Sequence, residues 1–255
     1  MSMKNDQIII IPARMSASRL PGKPLAEIAG KTMIQHVWER ALAADIAPVY
    51  VATDHEDIAE VIRAAGGEAV MTRADHPSGS DRVFEAVQTI DPDGQFQNVL
   101  NLQGDLPEMS PDIPVILSEA LLRSGADLAT LVAPATPQEA QLPQVVKAVV
   151  SWNAGAAPAV GAIGRALYFS RAAVPTGASD FLHHVGVYGW RREALARFVS
   201  LPPSPLEQAE KLEQLRAMEA GMHIAVGMIA EAPGGIDTAE DLSAARGRLS
   251  AKGAD

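Results

Sequence analysis

The 255-residue chain contains no cysteine. Disulfides, thiolate metal sites and cysteine nucleophiles are therefore excluded, and an intracellular setting is the default expectation. No apolar run approaches the roughly 18 residues needed to cross a bilayer as a helix. The opening MSMKNDQIIIIPAR has an acidic residue before its short apolar stretch and no cleavage-type site, so it reads as a first strand and not as a signal peptide. Positive charge is in deficit: 21 Lys and Arg face 31 Asp and Glu, a formal net charge of −10. A general nucleic-acid binder needs a basic surface to replace phosphate counterions, and the charge balance argues against that class. A local cluster of cations can still hold a small anion, because screening makes nearby charges matter most.

Nearly half the chain, 47%, is hydrophobic, enough at this length for one α/β domain with its own core. Short runs rich in Val and Ile alternate with helical patterns. Strands are expected at Gln7 to Pro12, Val49 to Thr53, Glu68 to Thr72 and Asn98 to Leu102, and helices at Lys31 to Ala44, His55 to Ala65 and Asp81 to Ile90. This βαβα rhythm predicts a mostly parallel sheet with helices on both faces, and a ligand site at the carboxyl ends of its strands. The later part is mixed. It predicts strands at Ala126 to Val132, Val145 to Ser151, Arg165 to Phe169, His184 to Gly189 and His223 to Ile229. Helices are expected at Pro205 to Ala220 and Thr238 to Leu249, and a Gly- and Ala-rich hairpin tip or loop at Trp152 to Gly164.

The first strand is followed by PARMSASRLPGKPL, which gathers Arg14, Arg19 and Lys23 around Gly22. A triphosphate needs several donors on one curved path, and Arg and Lys supply them. A solvated surface loop is the alternative. Neither a P-loop nor a G-x-G-x-x-G fingerprint is present. Two carboxylates stand in turns next to predicted elements: Asp105 in NLQGDLP and Asp237 in GGIDTAED. Mg²⁺ is commonly held by one or two carboxylates, with substrate phosphates and water completing the shell. A turn-forming role for Asp105 and a helix cap at Asp237, with Thr238 as the competing cap, are the alternatives. In MTRADHPSGSDR, Arg73 could donate to the acceptors of a pyrimidine, or the segment could be a helix-start loop capped by Ser80. Further on, Arg171 suits a carboxylate. Strand alternation puts His184, Gly186 and Tyr188 on one face, and helical spacing puts Glu210, Glu213 and Gln214 on another.

These blocks, from IIIIPARMSASRLPGKPLAEIAGKTMIQHVWERA through VATDHEDIAEVIRAAGGEAVMTRADHPSGSDR, NLQGDLP, ALYFSRAAVP, HVGVYGWRR and PSPLEQAEKLEQLR to GIDTAEDL, resemble the 3-deoxy-manno-octulosonate (Kdo) cytidylyltransferase family. They run in the family's order over almost the whole chain. The resemblance implies a Rossmann-like, nucleotide-diphospho-sugar transferase-like α/β fold in one nucleotidyltransferase domain. A small mixed subdomain, near residues 145–220, would bind the sugar and make a homodimer. It implies Mg²⁺, CTP and an acidic keto-sugar as ligands, cytoplasmic CMP transfer for lipopolysaccharide biosynthesis, and no membrane or nucleic-acid partner. It implies Mg²⁺ ligation by Asp105 and Asp237, and catalytic roles for these two with Arg14, Arg19 and Lys23. Nucleotide contacts would come from Ala13, Arg14, Arg19, Lys23, Arg73, Ser78 and Gln103, and sugar contacts from Gln103, Arg171, His184, Tyr188, Glu213 and Gln214. The family usually carries Glu where this chain has Leu106. The VPTGASDFLHH segment is also shorter, and the glycine-rich stretch before Arg165 longer, than the family's. A related acidic sugar (8-amino-Kdo or a sialic-acid-like sugar), a glycosyltransferase, or a non-catalytic nucleotide sensor are the rival readings.

Overall fold

The computed structural model describes residues 6–16, 20–152 and 158–252, with the backbone alone at 250–252. The chain forms two compact units: Met1–Pro114 with Pro233–Asp255, and Val115–Ala232.

The first unit is built around β1 (Gln7–Ala13), whose residues are buried except for partly exposed Pro12. A strand buried on both faces needs an unbroken apolar run, and the four consecutive isoleucines provide it. A short hairpin, β2 (Glu27–Ile28) and β3 (Lys31–Thr32), leads into α1 (Met33–Ala43). Then follow β4 (Val49–Thr53), α2 (Glu56–Ala64), β5 (Glu68–Met71), α3 (Gly79–Ile90) and β6 (Asn98–Asn101). The strands lie in the order β5-β4-β1-β6, and every pairing among them is parallel. Two helix starts differ from the sequence expectation. Lys31 and Thr32 belong to the hairpin, and Thr32 caps α1 by accepting the Gln35 N–H at 3.4 Å. The α3 helix begins before Asp81, because Ser78 and not Ser80 is its cap; Ser80 is buried in the first turn. In both cases a hydroxyl satisfies an otherwise orphan amide, and that sets the boundary.

The carboxyl-terminal helix Ala239–Lys252 belongs to this unit. Its Leu242, Ala245 and Leu249 pack with Ile28, Met33 and Ile236 in one buried cluster. Each large side chain so buried contributes roughly 1.5–3 kcal/mol. The cluster anchors residues 233–238, the segment that carries Asp237.

α4 (Asp112–Ser124) carries the chain across the division between the units. The second unit comprises β7 (Leu128–Ala135), α5 (Pro137–Ala140), β8 (Lys147–Trp152), β9 (Ile163–Ser170), β10 (Phe181–Arg191), α6 (Arg192–Val199), α7 (Pro205–Glu210), α8 (Gln214–Glu219) and β11 (Ile224–Met228). Its strands lie in the order β10-β7-β11-β9-β8. Only β7 and β11 pair in parallel; β10–β7, β11–β9, β8–β9 and β10–β8 are antiparallel. The mostly parallel expectation therefore holds for the first unit, whereas the second is mixed. Hairpin connections force antiparallel neighbours, and β8–β9 is one: Trp152 pairs with Gly164 across its ends. Residues 153–157 of the glycine- and alanine-rich hairpin lie outside the described residues.

The single helix expected from Pro205 to Ala220 is two short ones. Lys211 adopts the left-handed conformation, φ 57° and ψ 45°, and stops α7. The carbonyls this frees at Glu210 and Lys211 accept Nε and Nη2 of Arg171, at 2.8 and 3.3 Å. A helix end leaves acceptors of this kind unsatisfied, and here an arginine fork takes them. The expected shared face of Glu210, Glu213 and Gln214 is lost with the break.

Candidate nucleotide-binding site

A cleft of about 310 Å³ opens at the carboxyl ends of β1 and β6, within the first unit. Its wall is formed by Pro12 and Ala13 at the end of β1 and Arg14 after it, by Leu20, Lys23 and Pro24, by the start of α3, by Gln103, Gly104 and Asp105 after β6, and by Asp237. Gly104 is required by space. A Cβ there would lie 2.9 Å from the carbonyl oxygen of Pro12, so a larger residue would push the Asp105 turn away from β1.

Lys23 is the electrostatic centre. Its Nζ donates to Asp105 Oδ2 at 2.7 Å and to Asp237 Oδ1 at 3.1 Å. Residues 82 and 214 positions from Lys23 thus meet on one ammonium. Two backbone features make this possible. The Ile236 N–H donates to the Asp105 carbonyl at 3.1 Å, locking the two loops together. Thr238 accepts the Asp241 N–H at 3.2 Å, while Asp241 Oδ2 accepts the Asp237 and Thr238 N–H groups at 3.0 and 2.9 Å. Thr238 is thus the cap, and the Asp237 side chain is left to face the cleft. Leu106, beside Asp105 in this turn, is buried, 7% exposed, as a core side chain.

Among the described residues no group of three or more His, Cys, Asp or Glu is gathered as a metal cage. Two convergent carboxylates beside cationic side chains nevertheless fit Mg²⁺, which dehydrates reluctantly and takes remaining ligands from substrate phosphates and water. Asp105 and Asp237 are the residues that could hold it. Arg14 and Lys23 line the wall where a polyphosphate would lie; Arg19 lies outside the described residues.

Ser78 also lines the cleft. It accepts the Asp81 N–H and donates to Asp81 Oδ2 at 2.7 Å, leaving the first amides of the 12-residue α3 beside the cleft. A helix start of this kind favours anions. Arg73 is elsewhere. Its side chain is 65% exposed and pairs with Asp75 at 2.9 Å, and it is not among the cleft-lining residues. Its near neighbour His76 is on the wall, with Nε2 hydrogen-bonded to Glu85 Oε2.

Sequence reasoning missed Arg82, which is 3% exposed and lines the cleft. It donates to Asp54 Oδ2 at 3.0 Å and Thr72 Oγ1 at 2.5 Å. Asp54 Oδ1 in turn accepts the Met15 N–H at 3.3 Å. One buried ion pair therefore joins the ends of β4 and β5 to the loop that carries Arg14. A signal was present: Arg82 precedes Ala86 by four positions, on the same helical face, and a cation on an apolar face implies a buried partner.

The second unit gathers His184, Tyr188 and Gln214. His184 and Tyr188 rings lie 5.9 Å apart, across a register shift in β10 between Val185 and Tyr188. Tyr188 donates to Gln214 Oε1 at 3.1 Å. The Gln214 amide lies 3.4 Å from His184 Nδ1, and His184 Nε2 lies 2.9 Å from Thr130 Oγ1. Burial holds His184 down at about 3, with His183 adding to the effect. Burial, and then Glu213, push Tyr188 above its ordinary range. Glu213 itself stands at the N-cap position of α8, with no capping bond from its side chain. Arg171 does not present a free fork for a carboxylate: Pro143, Glu210 and Lys211 carbonyls take its guanidinium, and Glu210 Oε2 takes its N–H. Lys147, wholly buried, donates to the Leu142, Val145 and Arg171 carbonyls at 3.1, 2.6 and 2.6 Å.

A cytidylyltransferase family model matches residues 8–224. A 3-deoxy-manno-octulosonate cytidylyltransferase of Parvibaculum lavamentivorans is 53% identical over 243 residues, 95% of this chain and 92% of that protein. A protein of the same name from Rhodopseudomonas palustris is 55% identical over 240 residues, 94% of this chain and 96% of its own. A solved CMP:2-keto-3-deoxy-manno-octonic acid synthetase complexed with CTP superposes with a TM-score of 0.88 at 40% identity, covering 96% of this chain and 99% of that one. On this agreement of sequence and fold, the chain belongs to the 3-deoxy-manno-octulosonate cytidylyltransferases, within the cytidylyltransferase family.

Proposed function

We propose that this enzyme transfers CMP from CTP to 3-deoxy-D-manno-octulosonate, giving CMP-Kdo and pyrophosphate for lipopolysaccharide biosynthesis in the cytoplasm. The observation that carries the reading is the meeting of Asp105 and Asp237 on Lys23 Nζ, in a cleft that also bears Arg14 and the start of α3. The relatives named for this reaction, and the solved synthetase holding CTP, support it.

The chemistry is an in-line displacement. The anomeric hydroxyl oxygen bonds to the α-phosphorus, the bond from that phosphorus to the bridging oxygen breaks, and pyrophosphate leaves. The hydroxyl proton passes to solvent. Positioning and charge neutralisation are the protein's share, as in other phosphoryl transfers. Arg14, Lys23 and Arg19 hold the phosphates and stabilise the departing charge, while Ala13, Ser78 and Gln103 border the nucleotide. Mg²⁺ held by Asp105 and Asp237 supplies, when bound, Lewis-acid stabilisation of phosphate charge and a lower proton affinity for the attacking hydroxyl.

For the sugar, Tyr188, Gln214 and Glu213 of the second unit offer hydroxyl-binding groups, and His184 stays neutral to hold Gln214 in place; Gln103, in the first unit, is a separate candidate for a sugar hydroxyl. Arg171 acts by fixing the Glu210–Lys211 backbone. A homodimer formed by the region near residues 145–220 belongs to the same proposal. Exposed Leu167 and Leu206 in that region support it.

The test is pyrophosphate release with each of four nucleotides against Kdo, 8-amino-Kdo and a sialic acid, in Mg²⁺. The expected result is release from CTP with Kdo. Release with another acidic sugar alone would move the substrate, and CTP binding without any release would remove the reaction.

A further inference from the structure

We propose that His76, oriented by Glu85, reads the 4-amino group of cytosine and thereby selects CTP over UTP; this rests on the cytidylyl-transfer reading above. His76 lines the cleft beside the start of α3. Its side chain is 8% exposed, so water competes poorly for a hydrogen bond made there. Its Nε2 is bonded to Glu85 Oε2, and the same carboxylate accepts the Arg73 N–H at 3.1 Å. Glu85 sits within α3, a helix whose own start faces the cleft. The imidazole is therefore held from behind by a regular element and not by a loose loop.

The ring's chemistry follows from its partner. Burial works to raise the Glu85 carboxyl, but the donors at His76 and at the Arg73 N–H outweigh it and hold Glu85 below the usual range. An ionised carboxylate can only accept, so Nε2 must carry a proton. In the neutral imidazole the other nitrogen is then an acceptor. Nδ1 makes no hydrogen bond to any described residue. Cytosine presents a 4-amino donor at its exocyclic position, whereas uracil presents a carbonyl acceptor. An acceptor facing an acceptor leaves both unpaired, and a site built around a hydrogen bond rejects the analogue that cannot make it.

The other side chains at the start of α3, and the cations on the wall, do not offer this acceptor. Arg82 carries donors only, and its guanidinium is engaged by Asp54 and Thr72. The Ser78 hydroxyl is engaged by Asp81. Arg14 and Lys23 donate, and would favour a carbonyl over an amino group. The Arg73 guanidinium also carries donors only, and it is paired with Asp75.

The experiment measures kcat/KM for pyrophosphate release from CTP and from UTP with Kdo and Mg²⁺, alongside calorimetric binding of each nucleotide. It compares the full chain with His76→Leu and Glu85→Gln. His76→Leu is expected to lower the CTP-to-UTP ratio at least about tenfold, through loss of CTP. Glu85→Gln is expected to lower it too, because an amide can donate to Nε2 and so turn Nδ1 into a donor. An unchanged ratio in a His76→Leu protein with a normal unfolding temperature overturns the proposal. If His76→Leu does not fold, Glu85→Gln decides by the same criterion. A wild-type chain that binds CTP but turns over no nucleotide contradicts the reaction and leaves the base-reading claim to the calorimetric ratio, which must fall in the variants for it to stand.

Discussion

At the scale of single residues, the structure turns on a few charges that compensate one another. Arg82 and Asp54 have side chains only 3% and 8% exposed, so neither can rely on water. Removing one member of a buried pair strands the other and costs about 3–5 kcal/mol. Arg82→Met is therefore expected to lower stability to urea by roughly that amount. The double change Arg82→Met with Asp54→Leu should recover much of the stability, because it removes both charges. It should not recover CTP affinity, since the Met15 N–H loses its acceptor and the Arg14 loop loses its tie. Urea titration and CTP binding on wild type and the two variants separate the two effects. Full recovery of both would mean the pair has no part in ordering the loop.

At the scale of elements, strand β10 makes a titration prediction. His184 is held at about 3 in the folded chain, against an ordinary value of 6.5. Between those values the unfolded chain binds a proton that the folded chain refuses, so folding weakens as pH falls. The contribution is fully present above pH 6.5, and is lost at about 1.4 kcal/mol per pH unit through the window below it. Urea unfolding from pH 7 to 4 should show this slope, and His184→Gln should flatten it by about one proton. An unchanged slope in that variant would mean His184 is not the group refusing the proton. The elements were unevenly legible. β1 could be read from IIII because a strand buried on both faces needs no alternation. The break between α7 and α8 could not be read, because PLEQAEKLEQLRAME is a good helical pattern throughout. Lys211 stops α7 in the left-handed conformation, and the carbonyls left free there are taken by the guanidinium of Arg171, 39 positions from Glu210. Local pattern does not register a distant cap. α4 was missed as well, since Pro114 near its start and the apolar run after it hide the helical period.

At the scale of the whole chain, the same division recurs between local and distant information. The cation-rich loop and the two carboxylate turns were visible as motifs. Their convergence was not, because it depends on the Ile236-to-Asp105 hydrogen bond and on the packing of the carboxyl-terminal helix against Ile28 and Met33. Arg73 and Arg171 were attractive candidates because free guanidinium groups suit bases and carboxylates. Folding commits the first to Asp75 and the second to three backbone carbonyls. The central claim is that Asp105 and Asp237 act together on one divalent ion, with Lys23 between them. The most direct measurement is the Mg²⁺ dependence of pyrophosphate release from CTP and Kdo, in wild type, Asp105→Asn, Asp237→Asn and the double variant. Each single change should cut turnover by on the order of 10²-fold or more. The double variant should lose little beyond that, since the residues serve one ion. Near-normal turnover at ordinary Mg²⁺ in both single variants would contradict the account.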